Sequence, residues 1–333
     1  MAILADGYSS KLSFYKLKTD VFQQLRSLHF TMEPEEWSSW DKQKLEDEYS
    51  PSKWSLRGPA DWVLDHHVKL VTQVSTQVKQ EVSCQLDISY GIRQGEKFDI
   101  FGAEELPKDA PVFVYIHGGY WQALDRSISA YSVAPQHKAG HVVAIIGYEL
   151  APKVCLKEII LEIQLAVSAI LKWAAERGSR SVVIAGHSAG SHLAAMLLHD
   201  SEWQNKEPNL NFLHGMVHIS GVFDVVPLID TTMNIPLQLD RDAAKSLSPL
   251  RCFSQSMERV RNIKQLLVVG ENDPPEFKRQ TLTYAQAQMR AGFTDVHCKV
   301  MDKLDHFDIV EKLQEEEYVL TRLIIQLLSC TQL

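Results

Sequence analysis

The chain has 333 residues, 45% of them hydrophobic and 23% charged, which is ordinary globular composition with ample material for a sizeable core. Its formal net charge is −8, without a basic run or a Lys/Arg-rich helix, so neither nucleic acid nor an anionic membrane surface is expected as a partner. No stretch approaches about 20 uninterrupted apolar residues, which argues against a membrane span. The five cysteines (Cys84, Cys155, Cys252, Cys298 and Cys330) are scattered, odd in number and free of C-x-x-C spacing. They read as reduced thiols of a cytoplasmic protein. His66 and His67 are adjacent instead of four apart on a helix, and no other histidine spacing suggests a metal site. No metal and no cofactor are expected. Residues 1–7 have neither a charged n-region nor a long apolar core, so no signal peptide is expected. The oligomeric state stays open, a homodimer included.

In chain order, residues 1–70 read as an N-terminal extension packed on the core, rich in Lys, Glu, Ser and Trp, with a helix around residues 11–30. Glu48-Tyr49-Ser50-Pro51-Ser52-Lys53-Trp54 is a proline-punctuated loop. It reads first as a surface arm tied down by tryptophans; the other reading folds it over the mouth of a site. The sheet begins near residues 82–90 and 97–101. From Pro111 strands and helices alternate. A strand at 111–116 precedes a helix near 127–138, and a strand at 141–146 precedes an amphipathic helix at about 156–176. Ile159, Ile163, Val167, Ile170 and Leu171 form its apolar stripe, and Gly178 ends it. Strand 181–185 and helix 191–198 follow, then strand 215–219. An insertion at about 223–257 interrupts the alternation, with a short helix near 242–247. It fits a cap or substrate-binding segment, and plain surface helices nearly as well. Strands at 264–270 and 296–301 complete the set, with a long helix after residue 308. The pattern implies an α/β fold: a mainly parallel central sheet with helices on both faces, forming one domain over residues 71–333.

The turn between strand 181–185 and its helix is Gly186-His187-Ser188-Ala189-Gly190. A strand, a Gly-x-Ser-x-Gly turn and a helix make a nucleophile elbow, in which a tight, strained turn presents the serine hydroxyl at the edge of the sheet. Ser188 is the candidate nucleophile. A serine hydroxyl is weak at neutral pH and needs a base, an orienting acid and donors for the developing oxyanion. The donors are expected from Gly118 and Gly119, in the His117-Gly118-Gly119-Tyr120-Trp121 loop after a strand, together with Ala189. His117 suits a post that pins this loop better than a base. Tyr120 and Trp121 either pack beneath the loop or form an aromatic wall for substrate. The acid should leave a later strand, where Asp273 precedes a helix start at Pro274-Pro275 and Glu271 is its rival. The base should leave the last strand, which selects His306. Asp302, Asp305 and Asp308 crowd it in sequence and would favour its charged form if they approached in space. Ser188, Asp273 and His306 are the candidate triad, in the order this fold requires.

These residues resemble the α/β-hydrolases and, more narrowly, the animal-type kynurenine formamidase (arylformamidase) family. The resemblance rests on His117–Trp121 with Asp125-Arg126-Ser127, on Gly186–Gly190, on Tyr49–Trp54 and on Ser248-Pro249. Its fold-level reach is about residues 82–328. The elbow is shared across esterases; the His-Gly-Gly-Tyr-Trp loop is narrower, since many esterases carry a third glycine. The resemblance implies hydrolysis of N-formyl-L-kynurenine to L-kynurenine and formate, a step of tryptophan catabolism, through a formyl-serine intermediate. The alternative is a general carboxylesterase or arylesterase with the same triad; a hydrolase-fold binding protein would be expected to lack a triad member. Arg126 is a candidate partner for the substrate carboxylate, with a plain surface role as the other reading.

Overall fold

The computed structural model describes residues 36–253 and 257–329; the helix expected at 11–30 and Cys330 lie outside the described residues. Eight strands form one sheet: β1 (Cys84–Ser89), β2 (Lys97–Phe101), β3 (Val112–Ile116), β4 (Val142–Ile146), β5 (Val182–His187), β6 (Leu213–Ile219), β7 (Lys264–Gly270) and β8 (Val296–Met301). Their order is β1-β2-β4-β3-β5-β6-β7-β8, with β1, β2 and β4 joined antiparallel and the remainder parallel. This is the mainly parallel sheet covered by helices on both faces that the sequence implies. All residues of β3, β4 and β5 are buried, which explains their continuous β-branched runs: a strand covered on both faces has no polar side to show.

Alternation still decides which face each side chain serves. Val112, Val114, Ile116, Ile184 and Met216 enter one core, with Leu156, Ile159 and Ile163 of α4 (Leu156–Arg177) and Leu193 of α5 (Ala189–Leu197). Phe113, Tyr115, Val183, Ala185 and Val217 enter the other, with Val71 and Val78 of α2 (Ala60–Glu81), Val133 of α3 (Val133–Lys138) and Leu320 and Ile324 of α8 (Val319–Ser329). Two further helices matter below: α1 (Lys42–Glu48) and α7 (Pro275–Arg290). In α4, Glu158 accepts from the Cys155 N–H at the start, and Gly178 closes the end at φ +89°.

Three expectations change. A boundary at residue 70 cuts through α2, a 22-residue helix whose buried positions Val63, His67, Val71, Ser75 and Val78 form one stripe, with Ser75 Oγ accepting from Ala130 N–H and His67 reaching Glu311. The helix expected after His306 is broken into a short one (Asp308–Glu311), a 3-10 turn and α8. The helix expected from residue 127 begins only at Val133, after two 3-10 turns. The segment at 223–257 contains short helices, α6 (Arg241–Ser246) among them, and is anchored by fully buried Phe223, Val225 and Leu228.

Candidate active site

The parallel register brings five strand ends to one rim: Ile116 lies beside Gly186, Gly186 beside His218, and Gly270 beside Met301. Sites in such sheets form at the carboxyl ends of the strands. Ser188 stands at the start of α5 with φ +52° and ψ −117°, a conformation unfavourable to any residue with a Cβ. The elbow is held because Ser188 N–H donates to the Ile219 carbonyl at 2.8 Å and the Ser188 carbonyl accepts from His192 N–H at 3.1 Å. Its glycines are sterically required. A Cβ on Gly186 would lie 2.2 Å from the Gly190 carbonyl oxygen, and one on Gly190 would lie 2.2 Å from that of Ile116.

The oxyanion-loop glycines lie against this turn. A Cβ on Gly118 would come within 3.2 Å of the Ser188 Cβ, and Gly119 has φ +104° with its Cβ position blocked by the Ala123 carbonyl at 2.1 Å. No backbone hydrogen bond among the described residues uses the N–H of Gly118 or Gly119. Ala189 is the first residue of α5, so its N–H has no partner within the helix. His117 pins the loop: Nδ1 donates to the Gly118 carbonyl at 2.8 Å, and its ring stacks on Tyr148 at 4.3 Å. Tyr148 OH also donates to the His117 carbonyl at 2.9 Å. Burial pushes the His117 imidazole down to about 4, so it is a neutral post.

Asp273 is completely buried in the turn after β7. Its Oδ1 accepts from His306 Nδ1 at 2.6 Å, and its Oδ2 accepts from Ser220 Oγ at 2.6 Å and from Gly270 N–H at 2.8 Å. Three donors compensate the buried charge and fix the carboxylate plane. A Cβ on Gly270 would lie 2.4 Å from the Leu304 carbonyl, so this glycine lets the two loops approach. Glu271, the rival, is exposed and accepts from Lys303 N–H at 2.7 Å. His306 is held from behind as well: His187 Nε2 donates to its carbonyl at 2.8 Å. Burial first, then the neighbouring His306, drive His187 well below the usual histidine range and keep it neutral.

Ser188, His187 and His306 border one cavity of about 340 Å³, with Gly119, Tyr120 and Leu124. Much of its remaining wall comes from the N-terminal segment and α2: Tyr49, Ser50, Pro51, Ser52, Leu64 and Val68. The loop at 48–54 therefore folds over the mouth instead of forming a surface arm. Tyr120 OH donates to the Tyr49 carbonyl at 2.8 Å, joining the oxyanion loop to this cover. Trp121 corrects a second expectation. It is fully buried, does not border the cavity, and meets His192 edge-on at 4.8 Å, because φ +60° turns the chain and sends the ring beneath the loop.

The cover also grips the His306 loop. Arg57 Nε donates to Asp305 Oδ2 at 2.7 Å and Nη1 to Glu311 Oε2 at 2.7 Å, and Ser55 Oγ donates to Asp305 Oδ2 at 2.5 Å. Asp305 Oδ1 caps the N–H groups of Phe307 at 2.8 Å and Asp308 at 2.9 Å. Burial would raise the Asp305 carboxyl, but the Arg57 and Ser55 donors and the two N–H groups outweigh it and hold it low. Asp308 goes the other way, pushed up by burial and then by the Asp305 charge. Two of the aspartates near His306 in sequence are thus engaged elsewhere: Asp305 faces Arg57, and Asp308 Oδ1 accepts from Asp305 N–H at 2.7 Å. Arg126 lies away from the cavity, paired with Asp99 at 3.1 Å and with Asp87. Among the described residues no group of three or more His, Cys, Asp or Glu side chains could hold a metal ion, and no helix is long and apolar enough to cross a membrane.

Residues 98–278 match the BD-FAE family. The chain is 32% identical to kynurenine formamidase of Danio rerio over 88% of its length and 99% of the relative's, and 28% identical to that of Drosophila melanogaster over 80% and 91%. Among solved structures, a protein from Silicibacter sp. described as a thioesterase superposes with TM-score 0.68 at 31% identity, covering 84% of this chain and 98% of that one. Esterase B from Lactobacillus rhamnosis superposes with TM-score 0.64 at 18% identity, covering 87% and 96%, a likeness of fold alone.

Proposed function

The chain belongs to the BD-FAE family and to the kynurenine formamidases, and we propose that it hydrolyses N-formyl-L-kynurenine to L-kynurenine and formate by covalent catalysis at Ser188. In this reading Ser188 Oγ attacks the formyl carbon while His306 Nε2 takes its proton. Asp273 holds the imidazole in the required tautomer and stabilises the imidazolium. The N–H groups of Gly118, Gly119 and Ala189 receive the oxyanion. The C–N bond then breaks as His306 returns the proton to the arylamine nitrogen. Water, deprotonated by His306, attacks the formyl-serine ester, and formate leaves as the proton returns to Ser188.

The observation that carries this reading is the pairing of His306 Nδ1 with buried Asp273 while His306 and Ser188 border the same cavity. The apolar wall suits an aromatic leaving group, with Tyr120 as the ring that flanks it. The same wall suits a neutral aryl ester, which keeps ester cleavage as the second reading. Formate release from N-formyl-L-kynurenine, measured beside p-nitrophenyl acetate hydrolysis, separates the two. The proposal predicts a kcat/KM clearly favouring the formamide; a large preference for the ester would overturn it.

A further inference from the structure

This inference rests on the function proposed above and concerns how the amino-acid end of the substrate is held. That end carries a carboxylate into a cavity whose wall is largely aliphatic and aromatic, where an unpartnered charge is prohibitively costly. Among the described residues bordering the cavity there is no lysine, arginine or carboxylate. Most of its polar groups are already engaged. Tyr120 OH donates to the Tyr49 carbonyl, Gln122 Nε2 to the Tyr120 carbonyl at 3.3 Å, and Ser50 Oγ to the Glu46 carbonyl at 2.6 Å. His187 Nε2 is bound to the His306 carbonyl, and His306 to Asp273. Arg57 does not border the cavity and is saturated by Asp305 and Glu311.

His67 differs from all of these. It projects from α2 into the cavity wall, and its Nδ1 donates to Glu311 Oε1 at 2.9 Å. Glu311 is only 4% exposed, so the ring is oriented by a buried carboxylate and Nε2 is its remaining polar edge. The surrounding cluster holds two buried carboxylates, Asp305 and Glu311, for one guanidinium, Arg57. Donating to a carboxylate through Nε2 while Nδ1 donates to Glu311 requires a proton on both ring nitrogens, and the second carboxylate of the cluster offsets the charge the ring would then carry. The Phe307 ring lies 5.2 Å from that of His67 and 5.3 Å from that of His306, and all three residues border the same cavity, so His67 and the base serve one substrate space.

We infer that His67, backed by Glu311, binds the substrate α-carboxylate through Nε2 and selects amino-acid formamides over neutral ones. The test compares two substrates on the same enzyme: N-formyl-L-kynurenine and N-formylkynuramine, which has the same ring and ammonium group without the carboxylate. The wild type is expected to favour the carboxylate-bearing substrate tenfold or more in kcat/KM, chiefly through KM. His67→Phe, and His67→Gln with its donor for Glu311 retained, should each bring that ratio down at least tenfold, towards one. Because both rates come from one preparation, partial loss of folded protein cancels. A wild-type ratio near one, or a ratio preserved in both variants, overturns the inference while leaving the proposed function standing. Wild-type protein that releases formate from neither substrate overturns the proposed function, and this inference with it.

Discussion

The two walls of the cavity are built on different principles. The sheet side, from the Gly118–Gly119 loop, the Ser188 elbow and the Asp273 and His306 turns, is fixed by backbone approaches so close that a single Cβ would collide. The cover, from Tyr49 to Val68, is fixed by side chains: the Tyr49 ring tilted against Phe277 at 6.1 Å, and Arg57 clamped between Asp305 and Glu311. Chemistry that tolerates little misplacement sits on the part that can move least. The part that shapes the cavity and faces the leaving group sits on side-chain contacts, which can be exchanged without rebuilding the sheet. Changes on the first wall should therefore abolish turnover, and changes on the second should shift selectivity and stability.

The largest expected effect is that of Ser188→Ala, which should lower formate release by about 10⁴-fold or more with folding intact by circular dichroism. Asp273→Asn keeps the shape but removes the charge that orients His306, and a loss in kcat of about 10⁴-fold is expected. Gly119→Ala places a methyl group against the Ala123 carbonyl at a φ of +104° and should cost about 10²- to 10³-fold in kcat, compared on folded protein because the unfolding transition should fall as well. If any of these three moved only KM, the rigid-wall assignment would be wrong.

On the cover, Arg57→Met leaves Asp305 and Glu311 buried without their cation. Urea unfolding should then show a loss of about 3–5 kcal/mol, with a smaller effect on kcat than any triad change. The smallest effect is that of Asp308→Asn, which retains an acceptor for Asp305 N–H. Asp308 holds its proton more tightly folded than unfolded, so its contribution to stability falls as pH rises from the ordinary carboxyl range towards its raised value. The variant should match the wild type at pH 4 and exceed its Tm at pH 8, by the order of a degree or two. A gap that narrowed with rising pH would contradict the burial assigned to this carboxyl.

The sheet side was legible in the sequence because its constraints are local. Gly186 and Gly190 exist for the turn they flank, and the β-branched runs before Ser188 and Asp273 mark buried parallel strands. Even so, Ser220 was missed: it lies just beyond β6 with φ +47° and donates to Asp273 from 53 residues away, and no spacing announces such a contact. His187 was passed over as the variable position of its motif, although it holds the His306 carbonyl. The cover was the hard part. Tyr49 meets Glu276 and Gln280, and Arg57 meets Asp305, more than 220 residues along the chain, so composition alone could not decide between a surface arm and a cover over the site. Trp121 shows the same limit at short range, since one positive φ turned a candidate wall residue into a core residue.

The claim on which the remainder depends is that Ser188 is an activated nucleophile facing this cavity. Reaction of the folded protein with a fluorophosphonate, followed by peptide mass mapping, tests it most directly. One adduct on Ser188, absent in Ser188→Ala and suppressed in Asp273→Asn, is the expected result; a folded wild-type protein that stays unlabelled at Ser188, or is labelled at another serine, would contradict it.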